Sequence, residues 1–192
     1  MSAAQPQDKQ TRTLARGALI HLAGSEGHAW RVVSGSVRLD HEGEDGPQFG
    51  GLALTGDVIG AETLLFGRYT FSARALSPCV LECWSEEAGE TQKERLLHML
   101  AAAERRMADI LALRSGKAGQ RVRGLLALLS RSLGGRRSAE GVMLPRLSDI
   151  AEITDLTVET VSRTISRLDS EGSLEVEGRS RSRRIGLVES PL

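Results

Sequence analysis

The chain has 192 residues and balanced charge, 25 Lys and Arg against 25 Asp and Glu, enough for one large or two small domains that each bury a core. The balance hides an asymmetry: residues 1–113 carry 11 basic and 15 acidic residues, whereas residues 114–192 carry 14 and 10, which makes a polyanion a candidate partner of the second part, beside the plainer reading of an arginine-rich solvated surface. No apolar run approaches the length of a membrane span, so no membrane partner is expected, and the two cysteines, Cys79 and Cys83, are too few for a disulfide framework, which points to a soluble cytoplasmic protein.

Residues 1–13, opening on the polar "MSAAQPQDKQTR", are expected as a disordered tail and not a signal peptide. Residues 14–88 contain short runs cut by glycine turns: "ALIHLAG", "WRVVSGSVRLD", "QFGGLALTGDVIG", "TFSARAL" and "CVLECW". In the second run Val37 and Leu39 alternate with Ser36 and Arg38, the period of a half-buried strand, and the series predicts a small antiparallel barrel or jelly roll. Cys79 and Cys83 would fall on one side of a strand as free thiols, with redox sensing as the alternative.

After Trp84 the pattern changes. Leu96, Leu100, Ala103, Met107 and Ile110 recur at steps of 4, 3, 4 and 3, a heptad seam over a helix expected within residues 89–115. So narrow a seam predicts a parallel pairing with a second copy, while Leu97, Met99 and Leu111 form a second stripe able to pack on the barrel. The alternative is that the whole helix packs on the barrel of its own chain.

Residues 116–192 hold a further helix in "QRVRGLLALLSRSL", a loop "GGRRSAEG", and then a compact unit. Within it "PRLSDIAEI" offers Leu147, Ile150, Ala151 and Ile153 as one face, a short turn follows, and "TVETVSRTISRLDSEG" predicts a second helix capped by Thr157 and ending before Gly172. On that helix Val161, Ile165 and Leu168 share a side, and Glu159, Ser162 and Arg163 fall roughly opposite. Two short helices joined by "TDL" match a helix-turn-helix, whose second helix enters the major groove with its N-terminal residues leading. Arginine can donate twice to guanine, glutamate can accept from cytosine, and serine can meet several base edges or a phosphate. A closing hairpin is predicted in "SLEVEGRSRSRRIGLV", whose Arg179, Arg181 and Arg183 suit phosphate contact or a solvated tip equally well.

"LTVETVSRTISRLDSEG" resembles the recognition-helix signature of the CRP/FNR family of bacterial transcription regulators, and "RVVSGSVRL", "GDVIGAETLLFG" and the heptad helix are similar to that family's β-roll and dimerisation helix. The resemblance spans residues 14–188. It implies an α+β fold: a cyclic-nucleotide-binding or jelly-roll type β-roll, a long dimerisation helix and a C-terminal winged helix-turn-helix, in a homodimeric activator that binds double-stranded DNA and has RNA polymerase as a further partner. Val158, Glu159, Ser162 and Arg163 match the FNR-type pattern, which implies a palindrome of TTGA-like half-sites with Arg163 on the guanine, Glu159 on the opposing cytosine, and Ser162 on a thymine or phosphate. Thr157, Thr160 and Arg167 are candidate phosphate contacts. Asp155 stands where the family usually has glycine, and is expected to take the left-handed conformation of that turn.

The family's cyclic-nucleotide pocket uses a glutamate for the ribose and an arginine with serine or threonine for the cyclic phosphate. Glu62 matches the first, but Tyr69 and Thr70 stand at the pair, and Arg68 or Arg74 would have to substitute; cyclic-nucleotide binding is therefore disfavoured, with Glu62 read as a turn residue. Two cysteines cannot ligate an iron–sulfur cluster of the FNR kind. His21, His28, His41 and His98 are available to haem, although a lone histidine is more often structural. What remains is an unidentified small effector or none, and no cofactor is the expectation. Two other classes compete: a cupin-type metalloenzyme, which the absence of paired histidines on one strand disfavours, and a ligand-sensing module acting through protein partners, which would not need Glu159 and Arg163 on a recognition helix. No nucleophile motif or phosphate-binding glycine loop points to an enzyme.

Overall fold

The computed structural model describes residues 10–84, 92–131, 142–177 and 184–187. The glycine-punctuated runs fold as predicted into short strands, which form two four-stranded antiparallel sheets. One has the order β1-β8-β3-β6, from β1 (Thr11–Leu14), β8 (Cys79–Cys83), β3 (Trp30–Ser34) and β6 (Val58–Ile59). The other has the order β2-β7-β4-β5, from β2 (Leu19–His21), β7 (Ser72–Ala75), β4 (Ser36–Gly43) and β5 (Gly46–Leu54). Ile20, Trp30, Val32, Val37, Ala53, Ile59, Ala73, Ala75, Cys79 and Leu81 fill the space between them.

Two sequence expectations are corrected here. Residues 11–13, expected in the disordered tail, are strand: β1 pairs with β8 from Thr11↔Glu82 to Leu14↔Cys79, and supplies an edge that its polar composition concealed. Residues 1–9 lie outside the described residues. In β4 the alternation is present, but its polar face is not solvated. Ser36, Arg38 and Asp40 are all buried, and a helix from the C-terminal part of the chain meets Arg38 on that face.

A short helix α1 (Thr63–Phe66) follows β6, and its chain exit turns on Gly67 at φ 71°. The long helix α2 (Gln92–Leu113) leaves the roll, and α3 (Ala118–Arg131) packs back on its end. Then come β9 (Val142–Met143), α4 (Leu147–Thr154), α5 (Val158–Ser170), β10 (Leu174–Glu177) and β11 (Arg184–Leu187). The last strands form a sheet of order β10-β11-β9. A second core joins Val122, Leu125, Leu126 and Leu129 of α3 to Ile150 and Ile153 of α4 and Val161, Ile165 and Leu168 of α5. Phe49, Leu52 and Leu76 of the roll belong to this core, so roll and helical unit share apolar contacts.

Helix α2 departs from its predicted arrangement. Leu100, Ala103 and Met107 of the seam are exposed, Met107 by 66%, but Ile110 is turned inward onto the second core beside the buried Leu113. Of the second stripe Leu97 and Leu111 are exposed and Met99 is half-buried, and Leu111 lines, with Met107 and Ile110, a cavity whose other wall is His21, Leu39 and Ile59 of the roll. Beside the apolar contacts of Ile110 and Leu113, charge ties the helix to the roll: Arg105 donates to the buried Asp57 at 2.9 Å and Arg106 lies 3.6 Å from the same oxygen. The side chain of Leu96 lies outside the described residues.

Candidate nucleic-acid interface

Helices α4 and α5 are joined by Asp155, Leu156 and Thr157. Asp155 has φ 53° and ψ 54°, the only positive φ at a non-glycine among the described residues, and its backbone N–H donates to Ala151 O to close α4. This left-handed residue reverses the chain, as the sequence predicts. Thr157 then caps α5: its hydroxyl accepts from the Thr160 backbone N–H at 3.2 Å, satisfying one of the free donors of the first turn. Two arginines fix the turn from outside. Arg114 donates to Glu152 O and Ile153 O, and Arg121 to Thr154 O and Asp155 O, so cations meet the carbonyl end of α4 where the helix dipole favours them.

Val161, Ile165 and Leu168 are buried at 0%, 4% and 1% exposure, with Thr164 beside them, so this stripe anchors α5. Glu159, Ser162 and Arg163 are exposed on the other side, and Val158 is 44% exposed at the leading end. The structure thus brings together all four residues expected to read bases. The Glu159 carboxylate is held below its ordinary pKa by its own backbone N–H, by the Thr157 hydroxyl and by the charge of Arg163. It is an ionised acceptor, and Arg163 beside it is a donor.

The expected phosphate contacts divide. Thr157 and Thr160 bond to each other at 3.0 Å in the cap, and Thr160 is half-buried. Arg167 is exposed but lies 3.7 Å from Glu171, one turn on, which also meets Arg123 at 3.4 Å. Arg179, Arg181 and Arg183 lie outside the described residues; the strands β10 and β11 that flank them pair from Leu174↔Leu187 to Glu177↔Arg184.

At the roll, Glu62 accepts from the Thr70 backbone N–H at 3.0 Å and so ties the loop after α1. Arg68 points to Glu26 and Gly24 O. Tyr69 is buried, stacked on His21 with ring centroids 3.6 Å apart, and its hydroxyl donates to His28 O. A Cβ at Gly27 or Gly60 would meet its ring system at 2.2 and 2.5 Å, so the tyrosine fills the space beside these glycines. Thr70 is exposed. Of the four residues expected at a cyclic-nucleotide pocket, Glu62 and Arg68 are thus bonded within the loop, Arg68 with its side chain largely exposed, and Tyr69 is packed inside the roll.

His21 is desolvated, and with the Arg12 charge nearby its pKa falls to about 4, which keeps it neutral; its Nδ1 has no partner among the described residues. His28, His41 and His98 are exposed. Cys79 and Cys83 are free, and burial pushes the Cys79 thiol up. Among the described residues no three His, Cys, Asp or Glu side chains are placed to hold a metal, and no described helix is long and apolar enough to cross a membrane. Sequence reasoning missed the buried charges Arg38 and Asp40, whose signal was only the regular polar alternation of β4, and Asp149 in the first turn of α4.

Residues 11–91 match the family model of the cyclic nucleotide-binding domain. The nitrogen fixation regulation protein FixK of Azorhizobium caulinodans is 33% identical over 157 residues, covering 76% of this chain, which spans 62% of the length of that relative. Among solved structures, FixK2 from Bradyrhizobium japonicum superposes with a TM-score of 0.71 at 28% identity, over 93% of this chain and 92% of that one. A transcriptional regulator of the CRP/FNR family from Thermus thermophilus gives 0.63 at 27% identity, over 94% of each chain. The likeness runs through roll, long helix and C-terminal unit alike, and on it the chain belongs to the CRP/FNR family.

Proposed function

We propose that this chain is a sequence-specific, DNA-binding transcription regulator that acts as a homodimer. One observation carries the reading: a capped helix whose buried stripe leaves Val158, Glu159, Ser162 and Arg163 together on its exposed leading face. In the major groove Arg163 donates to guanine O6 and N7, Glu159 accepts from cytosine N4, and Val158 packs on a thymine methyl, which suits a TTGA-like half-site. The exposed Leu100 and Met107 pair with a second copy of α2, which sets two α5 helices about 34 Å apart on a palindrome. The chain then divides into a roll over residues 14–88, a dimerisation helix over 89–115 and a winged helix-turn-helix over 116–192, with RNA polymerase as a downstream partner. The engaged Glu62 and Arg68 and the buried Tyr69 support DNA binding without a cyclic-nucleotide effector.

The test compares full-length protein on a TTGA-type palindrome and on a scrambled duplex of equal length, at fixed salt. The palindrome is expected to bind more tightly, and Arg163→Ala to lose about 1–3 kcal/mol per half-site with relaxed preference at the guanine. Equal binding to both duplexes refutes the half-site assignment.

A further inference from the structure

Arg38 is 2% exposed, in the middle of β4, and its ladder neighbour on β7 is another arginine, Arg74. Two guanidinium groups side by side on one sheet face repel each other, and a buried one carries a desolvation penalty as well. The roll supplies one counter-charge, Asp40, whose Oδ1 accepts from Arg38 Nε at 2.6 Å. The others come from α4. Asp149 Oδ1 lies 3.4 Å from Arg38 and 3.5 Å from Arg74, a single carboxylate bridging the two cations, and Glu152 accepts from the far nitrogen of Arg38. Burial opposes the charge on Arg38, but the hydrogen bonds to Asp40 and Glu152 outweigh it and leave the guanidinium more firmly protonated than usual.

The surroundings make this a socket. The Arg38 guanidinium lies 5.7 Å from the Phe49 ring centroid, and Arg114, just past the end of α2, lies 5.3 Å from it. Arg114 continues to the carbonyls at the end of α4, and Arg16 donates to Leu144 O just before that helix. Helix α4 is therefore held along its length by arginines of the roll and of the segment that follows α2.

We infer that Arg38 and Arg74 form a twin-guanidinium socket which, by capturing Asp149 and Glu152, fixes α4 on the roll and so sets where α5 stands relative to the rest of the protomer. Arg38 is a positioning residue. It touches no DNA, but in a dimer the placement of α5 on each roll determines the separation and tilt of the two reading helices. The inference rests on the DNA reading proposed above for its effect on binding, whereas docking of α4 on the socket is independent of that reading.

Two variants of the full chain test it: Arg38→Met, which keeps the length and loses the charge, and Asp149→Asn, a milder change that removes only the bridging anion. Each is measured on duplexes in which two TTGA-type half-sites are moved apart or together by single base pairs. Wild type is expected to favour one separation; both variants should bind that duplex roughly tenfold more weakly and respond less to the shift, since misplacement removes the gain from engaging both half-sites. The factor lost on replacing the half-site guanine should stay as in wild type, whereas the weaker response to spacing is what a general loss of folding, which weakens binding to all duplexes by one factor, would not produce. Amide hydrogen exchange on the same proteins without DNA should show faster exchange in both β4 and α4 of each variant, with β3 and β8 unchanged. A spacing profile superimposable on wild type, or exchange confined to β4, overturns the inference. If wild type shows no half-site preference at all, the DNA reading fails and the exchange result still decides the socket.

Discussion

Asp155 offers a direct measure of the strain in the turn between α4 and α5. At φ 53° and ψ 54° an L-residue pays about 1–2 kcal/mol relative to a right-handed conformation, whereas glycine adopts this region without that penalty. Glycine carries an opposing entropic cost of roughly 0.5–1 kcal/mol through the unfolded chain. The two bonds that organise the turn use backbone atoms of residue 155, its N–H donating to Ala151 O and its O accepting from Arg121, so both survive any side-chain change. Asp155→Gly is thus expected to stabilise the C-terminal unit by about 0.5–1 kcal/mol. Asp155→Ala removes the same carboxylate but keeps the Cβ, so the difference between Gly and Ala isolates the dihedral and should be about 1 kcal/mol in favour of glycine. For a chain of this size that is about 2–4 °C in the melting transition, read by circular dichroism on the two variants at one protein concentration. Alanine tolerated as well as glycine would refute the assignment of strain to this residue.

Three further outcomes concern α2, the cap of α5 and the roll. Leu100→Glu with Met107→Glu places charges in the exposed stripe of α2 and is expected to give monomers by sedimentation; a persisting dimer would remove the helix pairing. Thr157→Ala leaves the Thr160 N–H uncapped and should destabilise the unit by about 1 kcal/mol, whereas Thr157→Ser should restore it; equal melting of all three forms in circular dichroism would contradict the cap. For His21 the folded-state pKa of about 4 lies below the ordinary value of 6.5, so stability is unaffected by this group above 6.5 and falls as pH drops, the unfolded chain taking up a proton that the folded one excludes. The loss approaches roughly 3 kcal/mol near pH 4, and a His21→Gln variant with an unchanged slope of stability against pH between these limits would contradict it.

How much of this was legible in the sequence depended on whether one side chain's surroundings were local. The α5 face was readable because Val161, Ile165 and Leu168 repeat at helical spacing and their opposites follow by geometry. The left-handed Asp155 and the Thr157 cap were readable for the same reason, since both motifs span only a few residues. Arg38 was not. Its alternation with Val37 and Leu39 is that of a solvated strand face, and only the arrival of α4, 111 residues later, covers it. Nor was the inward turn of Ile110 legible: a heptad pattern gives spacing, but not which residue meets the core of the neighbouring helices. Strand β1 was hidden in polar residues because an edge strand pairs through its backbone, which the side chains "TRTL" advertise weakly.

The central claim is that the face of α5 carrying Val158, Glu159, Ser162 and Arg163 reads bases in a two-fold arrangement. Selection of bound duplexes from a fully randomised library by the full-length protein tests it most directly. The account predicts an inverted repeat of TTGA-like arms, with the guanine no longer enriched by Arg163→Ala while the separation of the arms is retained. Enrichment of no sequence, or of a motif without two-fold symmetry, would contradict it.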